Sequence, residues 1–215
     1  MFFDSLKFIL LGTGVTIAVT AIALPLGFSL GLIMALGRVY GGTFVSWFSG
    51  LYSTVMRAVP PIVLLFIIFF VIAGSINISP FLAGSLSLGI ISSGYQLEVF
   101  RGAIQSVGSG QMVAARSIGM SRIKAIRHII LPQAIRIAIP PWSNEAATVV
   151  KDSSLVYALG VAEILRRAQF VSARTYEPFL AFSIAALIYF VLTFVTNRIL
   201  DKVERRIKIP TTQVA

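Results

Sequence analysis

The 215-residue chain has no cysteine, one histidine and only eight acidic residues. Without cysteine, disulfides and thiolate metal sites are excluded, and His128 has no second histidine with which to share a metal. No G-x4-G-K-[ST] phosphate loop is present, so the chain does not hold a nucleotide by that route. No nucleophile–base pair or metal-ligating cluster stands out, which speaks against an enzyme. Charge of either sign is scarce: 12% of residues are Asp, Glu, Lys or Arg, about half the usual globular share.

What is there is apolar. Hydrophobic residues make up 57% of the chain, and no charge interrupts 8–37, 58–97 or 178–197. A helix needs roughly 20 apolar residues to cross a hydrocarbon core. The first and last runs each fit one span. The middle run fits two, divided at the turn-forming 74–80, GSINISP. A further span is expected from 133 to 150, broken at Pro140-Pro141. The expectation is an all-α polytopic membrane protein with about five transmembrane helices, residues 1–215 forming one transmembrane domain. The run after Lys7 is too long for the apolar region of a signal peptide, so a cleaved leader is not expected.

The basic residues orient these spans. With the N-terminus outside, the inner segments are 38–57, 101–136 and 198–215. They hold Arg38, Arg57, Arg101, Arg116, Arg122, Lys124, Arg127, Arg136, Arg198, Lys202, Arg205, Arg206 and Lys208. Lys7, Lys151, Arg166, Arg167 and Arg174 remain outside. The positive-inside rule therefore puts the C-terminus in the cytoplasm. It also accounts for a pI near 10.5 without nucleic acid. The basic residues Arg122, Lys124 and Arg127, with His128, are expected at lipid headgroups.

Within single spans, Gly27 and Gly31 are spaced to let another helix come close. The pair Pro60-Pro61 suits a helix start. Glu98 and Arg101, three apart, are placed to pair on one helical face. The stretch 160–173 reads as a short amphipathic element outside. There Leu159, Val161, Ile164, Leu165, Ala168 and Phe170 face membrane or core, and Glu163, Arg166 and Arg167 are exposed.

The most specific pattern lies at 113–132, VAARSIGMSRIKAIRHIILP. Ala114, Ala115, Gly119, Ile129, Leu131 and Pro132 give the spacing A-A-x3-G-x9-I-x-L-P. This resembles the EAA loop of the membrane subunits of ATP-binding-cassette (ABC) importers, with Val113 where that motif has its glutamate. Several further segments, in the same order, are similar to the permeases for polar amino acids such as histidine, arginine and glutamine. They are RAVPPIVLLF, SSGYQLEVFRGAIQSVGSGQ, IPPWSNEAATVVKDSSL and EILRRAQ.

The resemblance implies a type I ABC importer permease fold and transport of polar amino acids by alternating access. It also implies assembly with two copies of an ATPase subunit, a second permease subunit (a homodimer is expected) and an extracytoplasmic amino acid-binding protein. ATP and Mg²⁺ would sit on the ATPase; no cofactor and no metal is expected on this chain. The docking loop would be 104–131, with a helix at 108–119, close contacts at Ala114, Ala115 and Gly119, and a polar contact from Arg116. The cell (inner or plasma) membrane is the expected location. An importer of another small solute such as methionine, or an ATP-independent secondary carrier, are the alternatives.

An amino acid crossing a low-dielectric region needs a cation for its carboxylate and acceptors for its ammonium. Glu145 is the leading candidate, beside the expected helix break, with Asn144 as donor and acceptor. Arg57 is placed to clamp a carboxylate, Thr54 to line the same cavity, and Asp152 and Ser153 to complete it at the outer end. If Glu145, Asp152 and Glu163 all face the pathway, a basic amino acid is favoured.

Overall fold

A computed structural model describes residues 2–75 and 77–207 of the chain. Among the described residues every regular element is a helix. In chain order they are α1 (Phe2–Leu10), α2 (Gly12–Tyr40), α3 (Thr43–Ala58), α4 (Pro61–Ser75), α5 (Pro80–Ser106), α6 (Ser109–Ser117), α7 (Arg122–Ala125), α8 (Leu131–Asp152), α9 (Ile164–Thr175) and α10 (Pro178–Ile207). A π turn, Ile126–Ile130, leads from α7 into α8, and a 3-10 turn, Ser153–Leu159, follows α8.

Five rods stand where five spans are expected: α2, the α3–α4 pair, α5, α8 and α10. Among the described residues only two stretches, Phe3–Tyr40 and Pro178–Arg206, are by themselves long and apolar enough to cross a membrane. The α3–α4 pair, bent by 116°, is a third if taken as one broken span. The reason α5 falls short is its position at the centre. It packs against α2, α3, α4 and α8 and buries small and polar residues such as Gly84, Ser87, Gly89, Ser93 and Gln96. A helix enclosed by protein is not required to be apolar on every face.

The pairing of α2 with α5 is the most extensive in the molecule. A Cβ on Gly27 would stand 2.4 Å from Gln96 Nε2, and one on Gly31 would stand 2.9 Å from Gln96 Cβ. The spacing of these glycines thus serves helix approach, as expected. At the start of α5 the hydroxyl of Ser79 accepts from Leu82 N–H at 3.3 Å, with Pro80 at the first helical position. That is the N-terminal signature of the 74–80 turn, of which Ile76 lies outside the described residues.

Two expectations about the spans are corrected. Residues 38–57 are not merely a cytoplasmic connection, since α3 occupies most of them. Its exposed Phe44, Trp47, Phe48, Leu51 and Val55 form an apolar outer face, and the chain bends only after Ala58, ahead of Pro61. Nor does Pro140-Pro141 break α8, which is helical from Leu131 to Asp152. The two prolines deprive only the carbonyls of Arg136 and Ile137 of N–H partners, and both residues lie on the exposed side. The irregularity sits instead at the very start of the helix, where Leu131 N–H donates to the Ile126 carbonyl in the π turn.

Outside the central rods, α9 packs against α10 and α1. Ile9, Ile164, Ala168, Ala181, Ile184 and Ala185 form their shared core. Glu163 is not exposed, contrary to expectation. It is fully buried and caps α9, accepting from Leu165 N–H at 2.8 Å and Arg166 N–H at 2.6 Å. Tyr189 on α10 donates its phenolic hydroxyl to the same carboxylate. Arg167 lies over the Phe8 ring and donates to the Phe8 and Ala162 carbonyls, tying α1 to α9.

Candidate functional site

The polar side chains attached to α5 separate into two clusters. At the first, Glu98 is held by Arg101 Nε at 2.8 Å and by the Ser53 hydroxyl of α3 at 2.9 Å. The spacing of Glu98 and Arg101 therefore produces the expected ion pair. Nearby, Tyr52 donates to the Ile90 carbonyl at 2.9 Å, fastening α3 along α5.

The second cluster joins α5 to α8. Trp142 Nε1 donates to Gln96 Oε1 at 2.8 Å, and Gln96 Nε2 donates to Ser92 Oγ at 2.8 Å. Ser92 in turn donates to Glu145 Oε1 at 3.1 Å. Gln96 is fully buried, whereas Glu145 is partly exposed. Asp152 follows two turns later on the same face of α8, half-buried and close enough to Glu145 for their charges to interact. Asn144 beside Glu145 is exposed.

Not all the expected site residues join this cluster. Ser153 is fully buried and donates its hydroxyl to the Val150 carbonyl at 2.6 Å, so it belongs to the turn after α8. Thr54 and Arg57 are exposed on the last turns of α3, a helix packed on α2, α4 and α5. Thr54 bonds back to the Gly50 carbonyl of its own helix at 3.0 Å. The bend after Ala58 places Arg57 at a break between two helices, alongside the Glu98 cluster, where its charge acts on Glu98. Sequence reasoning missed Ser92, Gln96 and Trp142. The available signal was Gln96 itself, the sole glutamine in the uncharged run 58–97. A polar side chain at that depth needs partners.

At the opposite end of α8 the conspicuous element is α6. The helix expected at 108–119 is observed at Ser109–Ser117. It ends with Gly119 at φ +84°. Met120 N–H reaches the Ala115 carbonyl and Gly119 N–H the Arg116 carbonyl, each at 3.1 Å. This is the paired hydrogen bonding of a left-handed helix stop. Gly119 is therefore a backbone requirement, with no atom close to where a side chain would point. Ala115 is 3% exposed and packs inward, so it is not itself a contact surface. Ala114 and Arg116 are exposed, and Arg116 Nη1 donates to the Met120 carbonyl at 3.0 Å. The outer surface is apolar, with Val113 64%, Ile118 78% and Ile123 78% exposed. Val113, in the glutamate position of the motif, extends that apolar surface. His128 is exposed, with Nδ1 3.0 Å from the Lys124 carbonyl. Arg122 lies over the Tyr40 ring.

Comparison with known proteins agrees with these features. Residues 27–209 match the family described as binding-protein-dependent transport system inner membrane component. The chain is 34% identical over 207 residues to a putative glutamine transport system permease protein of Rickettsia typhi, covering 95% of each. It is 36% identical over 194 residues to the L-cystine transport system permease protein of Bacillus subtilis, covering 89% of this chain and 83% of that one. A crystal structure of an amino acid ABC transporter with histidines superposes with a TM-score of 0.82 at 35% identity, covering 93% of this chain and 94% of its counterpart. The chain belongs to the binding-protein-dependent transport system inner membrane component family, and its fold is that of an ABC importer permease embedded in the membrane. Family membership leaves the ion-gradient carrier without support.

Proposed function

We propose that this chain lines the translocation pathway of an ATP-driven importer for amino acids with a cationic side chain. The observation that carries the reading is Glu145. Among the described residues it receives one protein hydrogen bond, from the neutral Ser92, and its neighbour Asp152 adds a second negative charge. A half-buried carboxylate with so little compensation is completed by a cationic ligand. The named relatives handle glutamine and cystine, and the solved structure is an amino acid transporter with histidines, which supports an amino acid as the cargo.

Seven residues along a helix is about 10 Å, a span that suits the two ends of an extended basic amino acid. Glu145 takes the side-chain cation. Asp152 takes the α-ammonium, and Lys151 beside it faces the α-carboxylate; Asn144 supplies hydrogen bonds at the exposed edge. The acidic set is two residues rather than three, because Glu163 is consumed in capping α9.

Energy comes from two copies of a separate ATPase subunit that hold ATP and Mg²⁺ and grip α6. The surface of Val113, Ala114, Arg116 and Ile118 is what they grip, and Gly119 shapes its end. From there α7 and the π turn run directly into α8, so movement of the docking helix is transmitted to the helix that bears Glu145. ATP-driven closure of the partner reopens the pathway outward, and hydrolysis returns it inward. A second copy of this chain completes the pathway, and a binding protein outside delivers the solute. The distribution of basic residues supports an N-terminus outside and a C-terminus on the cytoplasmic side of the inner membrane.

Equilibrium binding of radiolabelled arginine to the purified permease–ATPase complex, without binding protein, tests this. Arginine should bind at least about tenfold tighter than citrulline, its neutral isostere, and Glu145→Gln should erase most of that margin. Tighter binding of glutamine or glutamate than of arginine would overturn the cationic assignment and favour the neutral cargoes of the named relatives.

A further inference from the structure

We infer that Gln96 and Trp142 are positioning residues: they aim the Ser92 hydroxyl at Glu145 and so set how strongly the site prefers a cationic solute over its neutral isostere. This rests on the reading of Glu145 given above.

The direction of each bond in the chain is determined. An indole N–H only donates, so the atom it meets at 2.8 Å is the oxygen of the Gln96 amide. The amide nitrogen must then face Ser92, and it stands 2.8 Å from Oγ. Ser92 has one proton, and it is given to Glu145 Oε1. Three hydrogen bonds thus point the same way, from indole to carboxylate, each polarising the next.

The behaviour of the neighbouring serines shows that this is not the default. Ser85 and Ser87 donate back to the carbonyls of Phe81 and Ala83, four residues earlier in α5, and Ser93 donates to Ile90. Back-bonding of this kind is the usual local choice of a helical serine. Ser92 instead sends its proton across to another helix, and it is the one that accepts from Gln96. Gln96 has little freedom to leave: it is fully buried against Gly27 and Gly31. Trp142 is braced edge-on by Phe28, ring centroids 5.7 Å apart. Without the amide, Ser92 has no reason to avoid its own helix, and Glu145 loses the donor that orients it.

The test measures arginine and citrulline binding to the permease–ATPase complex in Gln96→Met, which keeps most of the volume, and Trp142→Phe, which keeps an aromatic ring but removes the N–H. Each should lower the arginine-to-citrulline affinity ratio by about five- to tenfold, the worth of one lost hydrogen bond in an ionic chain. In a Ser92→Ala background, adding Gln96→Met should change the ratio no further, because both act through the same hydroxyl. A wild-type ratio in the two single variants, an equal loss of arginine and citrulline, or an additive effect on Ser92→Ala would each overturn the inference. If Gln96→Met fails to assemble, Trp142→Phe decides. Glu145→Gln, measured in parallel, separates the two claims. An unchanged ratio there would sink the site assignment and this inference with it, whereas a collapsed ratio beside normal Gln96→Met and Trp142→Phe would sink this inference alone.

Discussion

Glu98 and Glu145 are both carboxylates attached to the same central helix packing, yet they are provided for in opposite ways. Glu98 has an arginine at 2.8 Å, a serine at 2.9 Å and a second arginine nearby. Glu145 has one serine at 3.1 Å and another acid for company. Glu163 follows the pattern of Glu98, with two backbone N–H groups and a phenol on its carboxylate. A carboxylate whose partners are all supplied by the chain holds helices together. One left short of positive charge is available to something that arrives from outside.

The comparison can be broken at several points. The largest effect is expected at Glu145, where Glu145→Gln should weaken arginine binding by about 10- to 100-fold, as for loss of a charge-assisted contact. Thermal unfolding of the apo complex should be little changed. If stability falls and affinity does not, Glu145 belongs with Glu98.

Next comes the α2–α5 contact on which the second cluster leans. Gly31→Val has no room beside Gln96 and Leu97, and overpacking of this kind costs about 1–3 kcal/mol. The detergent-solubilised complex should melt lower, and arginine selectivity should fall with it because Gln96 is pushed.

Glu98→Gln should act in the reverse sense. Its pair is a quarter to a third exposed, so a cost of about 1 kcal/mol is expected, visible as a lower melting temperature with an unchanged arginine-to-citrulline ratio. A selectivity change there would erase the distinction between the two carboxylates.

The smallest effect should come from Gly119→Ala. Alanine at φ +84° is strained by about 1 kcal/mol, which should loosen ATPase co-purification severalfold and leave arginine affinity alone.

Much of the architecture was legible in the chain. Uncharged runs located the apolar cores of the rods though not their ends, the glycine pair marked a close helix contact, and Glu98 and Arg101 announced their pairing through local spacing. The short helix α6 was recognisable from the pattern at 114–132, although the meaning of its residues shifted. Gly119 turned out to shape the backbone, Ala115 to face inward, and Val113 with Ile118 to form an exposed apolar surface. Other expectations failed where the answer lay between elements. Pro140-Pro141 looked like a break, but the deprived carbonyls lie on an exposed side and the helix runs on. Arg57 looked like a clamp for a substrate carboxylate in the site of Glu145, but α3 carries Arg57 to the Glu98 cluster. Glu163 looked solvated because its capping role depends on backbone N–H groups and on Tyr189, 26 residues away.

The sequence by itself determined that the chain must live among lipids and which short helix stands between α5 and α8. These follow from composition and from intervals of a few residues, where chemistry acts locally. Only the tertiary structure decided which acids are spoken for. Satisfaction of a buried charge is a property of what packs around it, and for Glu145 that is a serine 53 positions away, aimed by an amide and an indole.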